Sequence, residues 1–440
     1  MRYLAEEIEK KFCYSVKPLY IAYNKSVQEE AVRKFGNLAT ARTAHGIAYR
    51  FFNADIWKRI KAKLFPHDVG ALLESKGERN ISEIDIALSL KIISNFCNTV
   101  SQKIEDQHFP KIISPCANSS LALKYAEILW GMMGDINNLY TPLTHDYYLK
   151  MWQLDPRATI NEPWVMFDEA QDANPVIWDV INRSKSRKVI VGDPWQSVYG
   201  FRGAFNAIDN YDAPVSYLTQ SFRFGVKLAD IANAWLSKMP HDKPKKKLIG
   251  CHNIDTMISN KLDLYVPTCI LCRTKATLFY MAEKLIGEQL YVIGGFSEIK
   301  VLLTSMYGLL SKKRELIKHS ILIGFKTWSQ FVDMVDLMDD RELLSLICIV
   351  KIYKDNLINI LSKIDNSIVS QEKAIYFLST GHKAKGLEWA QVYICDDFSK
   401  SDQLLDEYKL RGWSLELREE FHLGYVAQTR AIYKLVGRLI

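Results

Sequence analysis

Short apolar runs and longer stretches of helical period alternate along this chain. Leu4, Ile8 and Phe12 recur at helical spacing, which predicts a helix over residues 2–12. Pro18 to Tyr23 reads as a buried strand, followed by a turn and a helix that reaches Phe35. Residues 52–150 lose the strand pattern and read as helical, with Ser82 a suitable N-cap for the stretch I-S-E-I-D-I-A-L-S-L-K. Two apolar triplets come next. Val165-Met166-Phe167 closes on Asp168 and Glu169, and Val189-Ile190-Val191 closes on Gly192 and Asp193. A helix is expected over 225–240, a strand over Cys269–Arg273 with a helix after it, and helices again from about 300 to 372. Ile375–Leu378 and Gln391–Cys395 read as two further strands, and Leu435–Ile440 as a short closing strand. Buried strands separated by helices predict an α/β fold with parallel sheets.

Composition narrows the class. At 440 residues the chain has room for roughly two to four domains. A hydrophobic share of 48% with 24% charged residues describes a globular protein with sizeable cores. The net charge of +7 permits a nucleic-acid partner without requiring one, because a local basic surface matters more than the total. No apolar run approaches membrane-spanning length, and the charged amphipathic start is not a signal peptide. The eight cysteines are scattered. Cys269 and Cys272 form C-x-x-C inside an apolar strand with no second pair at zinc spacing, so they read as core thiols of a protein in a reducing compartment.

The candidate chemistry lies at the ends of the two triplets. In open α/β sheets, ligands bind where strands deliver their carboxyl ends. Adjacent carboxylates there suit the holding of a hydrated Mg²⁺ and the activation of a water. D-E-A-Q-D alone also fits a solvated acidic helix start. G-D-P-W-Q-S-V-Y-G-F-R-G-A at the end of the next strand makes that reading the weaker one.

Together these segments resemble the UvrD/Rep-like DNA helicases of superfamily 1. Further segments fit in order: A-Y-N-K-S, R-T-A-H-G-I-A-Y-R, Y-L-T-Q-S-F-R-F, H-K-A-K-G-L-E-W and L-G-Y-V-A-Q-T-R-A. L-T-H-D-Y-Y-L-K-M-W-Q-L, residues 143–154, resembles a segment of the F-box DNA helicase-related branch. The resemblance implies two RecA-like lobes, each with a helical insertion: 1–222 with an insertion at about 52–150, and 223–440 with one at about 300–372.

It also implies site residues. Asp168 would bind Mg²⁺, Glu169 would activate the attacking water, and Gln196 would sense the γ-phosphate of ATP. Arg223 and Arg430 would reach that phosphate, a role suited to a permanently charged, bidentate guanidinium. Arg273 and Gly386 would lie near the nucleotide, and Glu388 would bond the ribose. Asn24 and Lys25, beside Ser26, would contact DNA, as would His45, Tyr199, Phe201, Thr380 and His382. A lone histidine such as His45 is more often structural, and Phe201 could be a core aromatic, although its Gly-x-Arg-Gly setting disfavours packing. The basic run at 241–248 reads as a solvated loop. The expected partners are ATP, Mg²⁺ and single-stranded or duplex DNA, with 3′-to-5′ movement, no membrane, a monomer, and an intracellular place with the DNA.

One expected motif is missing. The phosphate-cradling loop G-x-x-x-x-G-K-[ST] is absent, since none of the 21 glycines is followed by lysine. In the resembling family that loop precedes a helix like residues 2–12. Two expectations follow: an N-terminally truncated copy, or a protein that binds nucleic acid without hydrolysing ATP.

Overall fold

The computed structural model describes residues 1–440 except 13–15, 53–56, 62–63, 65, 111–116, 136–137, 139, 201–205, 241–245, 338–339, 438 and 440. Phe201 and most of the basic loop lie outside the described residues. The chain divides into two compact units, Met1–Asp212 and Ala213–Ile440.

The first unit is built on a parallel sheet of β1 (Leu19–Ala22), β2 (Thr40–Thr43), β3 (Trp164–Phe167) and β4 (Arg187–Ile190), in the order β2-β1-β3-β4. Strand alternation assigns its two faces. Leu19, Ile21, Val165 and Phe167 point into the larger core, while Tyr20, Ala22, Ala41 and Met166 point into a smaller one beneath helices Arg2–Lys11 and Lys25–Phe35. The helices expected between β2 and β3 are present, including Pro66–Ser75, Glu83–Phe96 capped by Ser82, and Ser119–Gly134. Their apolar residues Ile92, Phe96, Tyr125 and Leu129 belong to the same cluster as the sheet face. The insertion is therefore not an independently packed body; it completes the core that one face of the sheet begins.

Helix His145–Leu154 joins these parts. Lys150 is fully buried within it. Its ammonium donates to the carbonyls of Thr99 (2.8 Å) and Ser101 (2.6 Å) and to Oε1 of Gln153 (2.7 Å), and lies 4.6 Å from the Phe96 ring centre. Gln153 in turn donates to Asp179 at 2.9 Å. A buried cation is tolerable only when its donors are satisfied. Here all three are.

The second unit carries a parallel sheet of β5 (Met257–Ser259), β6 (Thr268–Cys272), β7 (Leu290–Val292), β8 (Tyr376–Thr380), β9 (Trp389–Ile394) and β10 (Ala431–Val436), ordered β5-β10-β9-β6-β8-β7. Helices Ser297–Leu310, Arg341–Tyr353 and Leu357–Ser367 form one core with Ile270, Cys272 and Leu378 of this sheet. Cys269 and Cys272 are buried in it as free thiols, with Cys272 Sγ 3.7 Å from Cys395 Sγ.

One expectation needs correcting. The closing strand is not a short run beginning at Leu435. It begins at Ala431, directly after helix Leu415–Gln428, and lies inside the sheet between β5 and β9. Its middle residues Ile432, Tyr433 and Lys434 are partly or fully exposed, beside an irregularity in the pairing between Ala431 and Lys434, and two of them are polar, which concealed the strand.

Lys150 yields a prediction. Burial pushes its ammonium down to about 8 from the ordinary 10.5. Between those pH values the unfolded chain holds a proton that the folded chain has lost, so stability rises with pH across that window. Lys150→Met removes this gain and strands three acceptors, costing ~2 kcal/mol at neutral pH. Urea unfolding of both proteins at pH 7.5 and 9.5 should show the gap widening at the higher pH. A constant gap would mean that Lys150 does not titrate there.

Candidate active site

All four strands of the first sheet run parallel, so their carboxyl ends share one edge. β3 delivers Asp168 to that edge. The Tyr20 hydroxyl, from the neighbouring β1, donates to Asp168 Oδ2 at 2.6 Å. The Glu169 backbone N–H donates to Asp168 Oδ1 at 3.0 Å. Burial pushes the Asp168 carboxyl above the usual range, and the adjacent Glu169 charge adds to this; the Tyr20 hydrogen bond works the other way. Burial, and then the bond to Asp168, raises the Tyr20 phenol. Glu169 itself has φ +52°, in the left-handed region that side chains with a Cβ seldom enter. The chain thus turns sharply after Asp168, and Ala170 N–H donates to the Val191 carbonyl at 3.1 Å beyond the end of β4.

The segment after β4 folds around Asp193. One carboxylate oxygen accepts from the Trp195 backbone N–H at 3.0 Å, and the other accepts from the Gln196 side-chain amide at 2.8 Å. Gln196 is therefore oriented by the turn that carries it. Farther along, Tyr199 stacks on Tyr23, with ring centres 6.0 Å apart and planes 14° apart.

The other expected positions are distributed as follows. Asn24 caps helix Lys25–Phe35, its Oδ1 accepting from Val27 N–H at 2.9 Å, so its side chain has a local structural task. Lys25 is exposed at the first turn of that helix. His45 Nε2 lies 3.3 Å from Asp146 Oδ1, and its ring meets those of His145 and Tyr148 edge-on. The segment singled out at 143–154 thus supports His45.

Within the second unit, Arg223 Nε donates to Glu388 at 2.5 Å. Arg273 grips the Glu420 carboxylate through Nε and Nη2, while its backbone N–H donates to Asp397 at 2.9 and 3.0 Å. Arg430 is buried, bonded to the carbonyls of Val426 (2.8 Å) and Leu387 (3.3 Å) and to Thr429 Oγ1 (2.9 Å). Thr380 ends β8, followed by part-buried His382 and by Gly386, exposed at φ +80°.

Two side chains escaped the sequence reading. Tyr20 gave only a faint signal, a phenol inside an aliphatic strand. Tyr23 gave a clearer one, an aromatic at the strand end directly before Asn24-Lys25.

Among the described residues, no group of three His, Cys, Asp or Glu side chains is gathered to hold a metal. A single half-buried carboxylate still fits Mg²⁺, which keeps several waters and is bound through one or two carboxylates plus substrate phosphates. Asp168, a carboxylate at the carboxyl end of β3, fits that requirement.

Two stretches of the chain match models of known families. Residues 157–213 match the UvrD/REP helicase N-terminal domain, and residues 296–437 match the UvrD-like helicase C-terminal domain. The chain thus carries two domains of the UvrD-like helicase family. The relatives it matches over most of its own length are F-box DNA helicases. It is 30% identical over 455 aligned residues to F-box DNA helicase 1 of Gallus gallus, covering 94% of this chain and 44% of that protein. It is 29% identical over 472 aligned residues to F-box DNA helicase protein 1 of Schizosaccharomyces pombe, covering 96% and 52%. The chain thus spans about half the length of these relatives. A shorter stretch of 52 residues is 52% identical to the RecBCD enzyme subunit RecB of Mycolicibacterium smegmatis, covering 11% of this chain and 5% of that one. Among the described residues, no helix is long and apolar enough to cross a membrane.

In this UvrD-like chain the raised Asp168 carboxyl carries a stability cost. Its folded value lies above the ordinary 3.8, so ionisation at neutral pH opposes folding. Stability therefore falls as pH rises from 3.8 through the folded value. Asp168→Asn keeps an oxygen for the Tyr20 hydroxyl and removes the charge, and should raise the melting temperature by about 2 °C in metal-free buffer. A lower melting temperature would show the carboxylate to be a net stabiliser.

Proposed function

We propose that the chain is the core of an ATP-dependent DNA translocase and helicase that moves 3′ to 5′ on single-stranded DNA, working inside the cell as a monomer. The observation that carries this reading is the run from Val191 to Tyr199. It starts beside the paired carboxylates Asp168 and Glu169 and ends on the stacked pair Tyr23–Tyr199. A change sensed at the carboxylates has a short covalent route to an aromatic pair. Stacking of bases on aromatics is tolerant of sequence, as a motor requires.

In this reading Asp168 holds a hydrated Mg²⁺, which neutralises charge on the phosphates of ATP. Glu169 orients the attacking water and takes its proton, and Gln196 bonds the γ-phosphate. Arg223 and Arg430 act as phosphate-binding cations, and Arg273, Gly386 and Glu388 serve the nucleotide. Arg223 would exchange Glu388 for phosphate oxygens, like for like in charge. Tyr23 and Tyr199 take DNA bases, and Asn24, Lys25, His45 and Phe201 in the first unit and Thr380 and His382 in the second are each assigned to DNA contact.

A second reading has its own observation. With no Gly-Lys pair among its residues, the chain lacks the sequence of a phosphate cradle. A non-hydrolysing single-stranded nucleic-acid-binding protein would need Tyr23 and Tyr199 but not Glu169.

ATP turnover with and without an oligo-dT strand separates the two. For the motor, turnover should be DNA-stimulated, and Glu169→Gln should reduce it by about 10²–10⁴-fold with DNA affinity unchanged. No turnover with DNA binding intact would favour the second reading. Tyr23→Ala should weaken oligo-dT binding about tenfold under either reading, the loss of one base stack. Unchanged affinity in a fluorescence-anisotropy titration would remove the aromatic pair from the nucleic-acid surface.

A further inference from the structure

We propose that Gln171 is a positioning residue that fixes the Glu169 carboxylate and the Asp193–Gln196 turn in a single arrangement. The proposal rests on the reading of Glu169 and Gln196 as reaction groups.

Gln171 is fully buried, and its amide is used at both ends. The Nε2 group donates to Glu169 Oε2, and Oε1 accepts from the Asp193 backbone N–H at 3.2 Å. Its main-chain carbonyl accepts from Ser197 Oγ at 3.0 Å, which ties down the far side of the same turn. The amide can point only one way. Flipped, it would set its oxygen against a carboxylate and its NH₂ against an N–H. One planar group therefore couples two segments that the chain itself joins only through helix Pro175–Arg183 and β4.

The fit explains Gly192. A Cβ there would stand 2.1 Å from Gln171 Oε1 and 2.7 Å from Ile208 Cδ1. Its φ is not in the left-handed region, so conformational freedom is not the reason for glycine. The space is needed for the Gln171 amide.

Glu169 is held where it would not rest unaided. Its left-handed backbone costs on the order of 1 kcal/mol or more, and persists only where surrounding contacts over-determine it. The Gln171 bond to its carboxylate and the Ala170 bond to Val191 are such contacts. Gln171 thus sets the direction of the Glu169 carboxylate and, with the same amide, the base of the turn that orients Gln196.

The test uses the 440-residue chain without nucleotide, by amide hydrogen exchange and thermal melting. Gln171→Leu removes both bonds, and exchange at the Asp193 amide should quicken about five- to tenfold, the shift given by losing one net hydrogen bond. Amides of helix Pro175–Arg183 should hold their rates. Gln171→Glu keeps the acceptor for Asp193 N–H but faces Glu169 with a like charge. Exchange at Asp193 should then stay near that of the unaltered protein, while the melting temperature falls by about 3 °C. The double variant Glu169→Gln with Gln171→Glu exchanges amide and carboxylate and should recover that loss when the full double-mutant cycle is measured. A residue that merely filled space would not be rescued by the exchange. Unchanged Asp193 exchange in Gln171→Leu, or a double variant with no positive coupling, overturns the proposal. If Gln171→Leu does not fold, Gln171→Glu and the double variant still decide it. Because no nucleotide is used, a chain that hydrolyses no ATP would overturn the functional reading and leave this result standing.

Discussion

A carboxylate held half out of water at the end of a strand is the constraint on which the first unit depends. Asp168 cannot be moved outward without losing Tyr20, nor inward without a higher desolvation cost. Its place requires β1 beside β3 in parallel register, because Tyr20 pairs with Met166 only then. That register in turn requires residues on alternate faces to find two separate cores, and the smaller one exists only because helices Arg2–Lys11 and Lys25–Phe35 cover it. A charge that folding disfavours is thus fixed by packing that folding favours. Such opposition marks Asp168 as a candidate for function rather than for stability.

The broad architecture was legible in the residues because buried parallel strands are short, apolar and end in polar groups. Val165-Met166-Phe167-Asp168 and the stretch around Cys269–Cys272 both announced themselves this way, and the structure has strands at both. The helical stretches were also legible, down to the Ser82 cap. Pairings formed across long sequence distances were not. Tyr20 with Asp168, Arg223 with Glu388 and Arg273 with Glu420 join residues separated by 148, 165 and 147 positions. No local pattern encodes a partner that far away. β10 was misplaced for a different reason: its middle residues 432–434 are partly or fully exposed where the pairing is irregular, and that break weakens the apolar signal that marked the others.

The arginines of the second unit differ in what holds them. Arg223 and Arg273 each hold a carboxylate, while Arg430 is spread over carbonyls and a hydroxyl. The first two are salt bridges at partly exposed positions, which contribute little to stability and exchange readily. The third is locked in place by neutral acceptors. Guanidinium groups of one chemistry thus differ in how easily they can be redirected, and the difference comes from what they are bonded to.

The position of β10 governs when the second unit can be completed during synthesis. β5 is hydrogen-bonded into the sheet through β10, and β10 is made last. A nascent chain that has emerged only as far as helix Leu415–Gln428 has one strand detached and the flank of β9 unpaired. Until residues 431–436 leave the ribosome, that flank is a template for other strands. Among the described residues, the four strands of the first unit are complete by residue 190. Strand order thus allows the unit bearing Asp168 and Glu169 to form its described strands before the second unit has its last interior one.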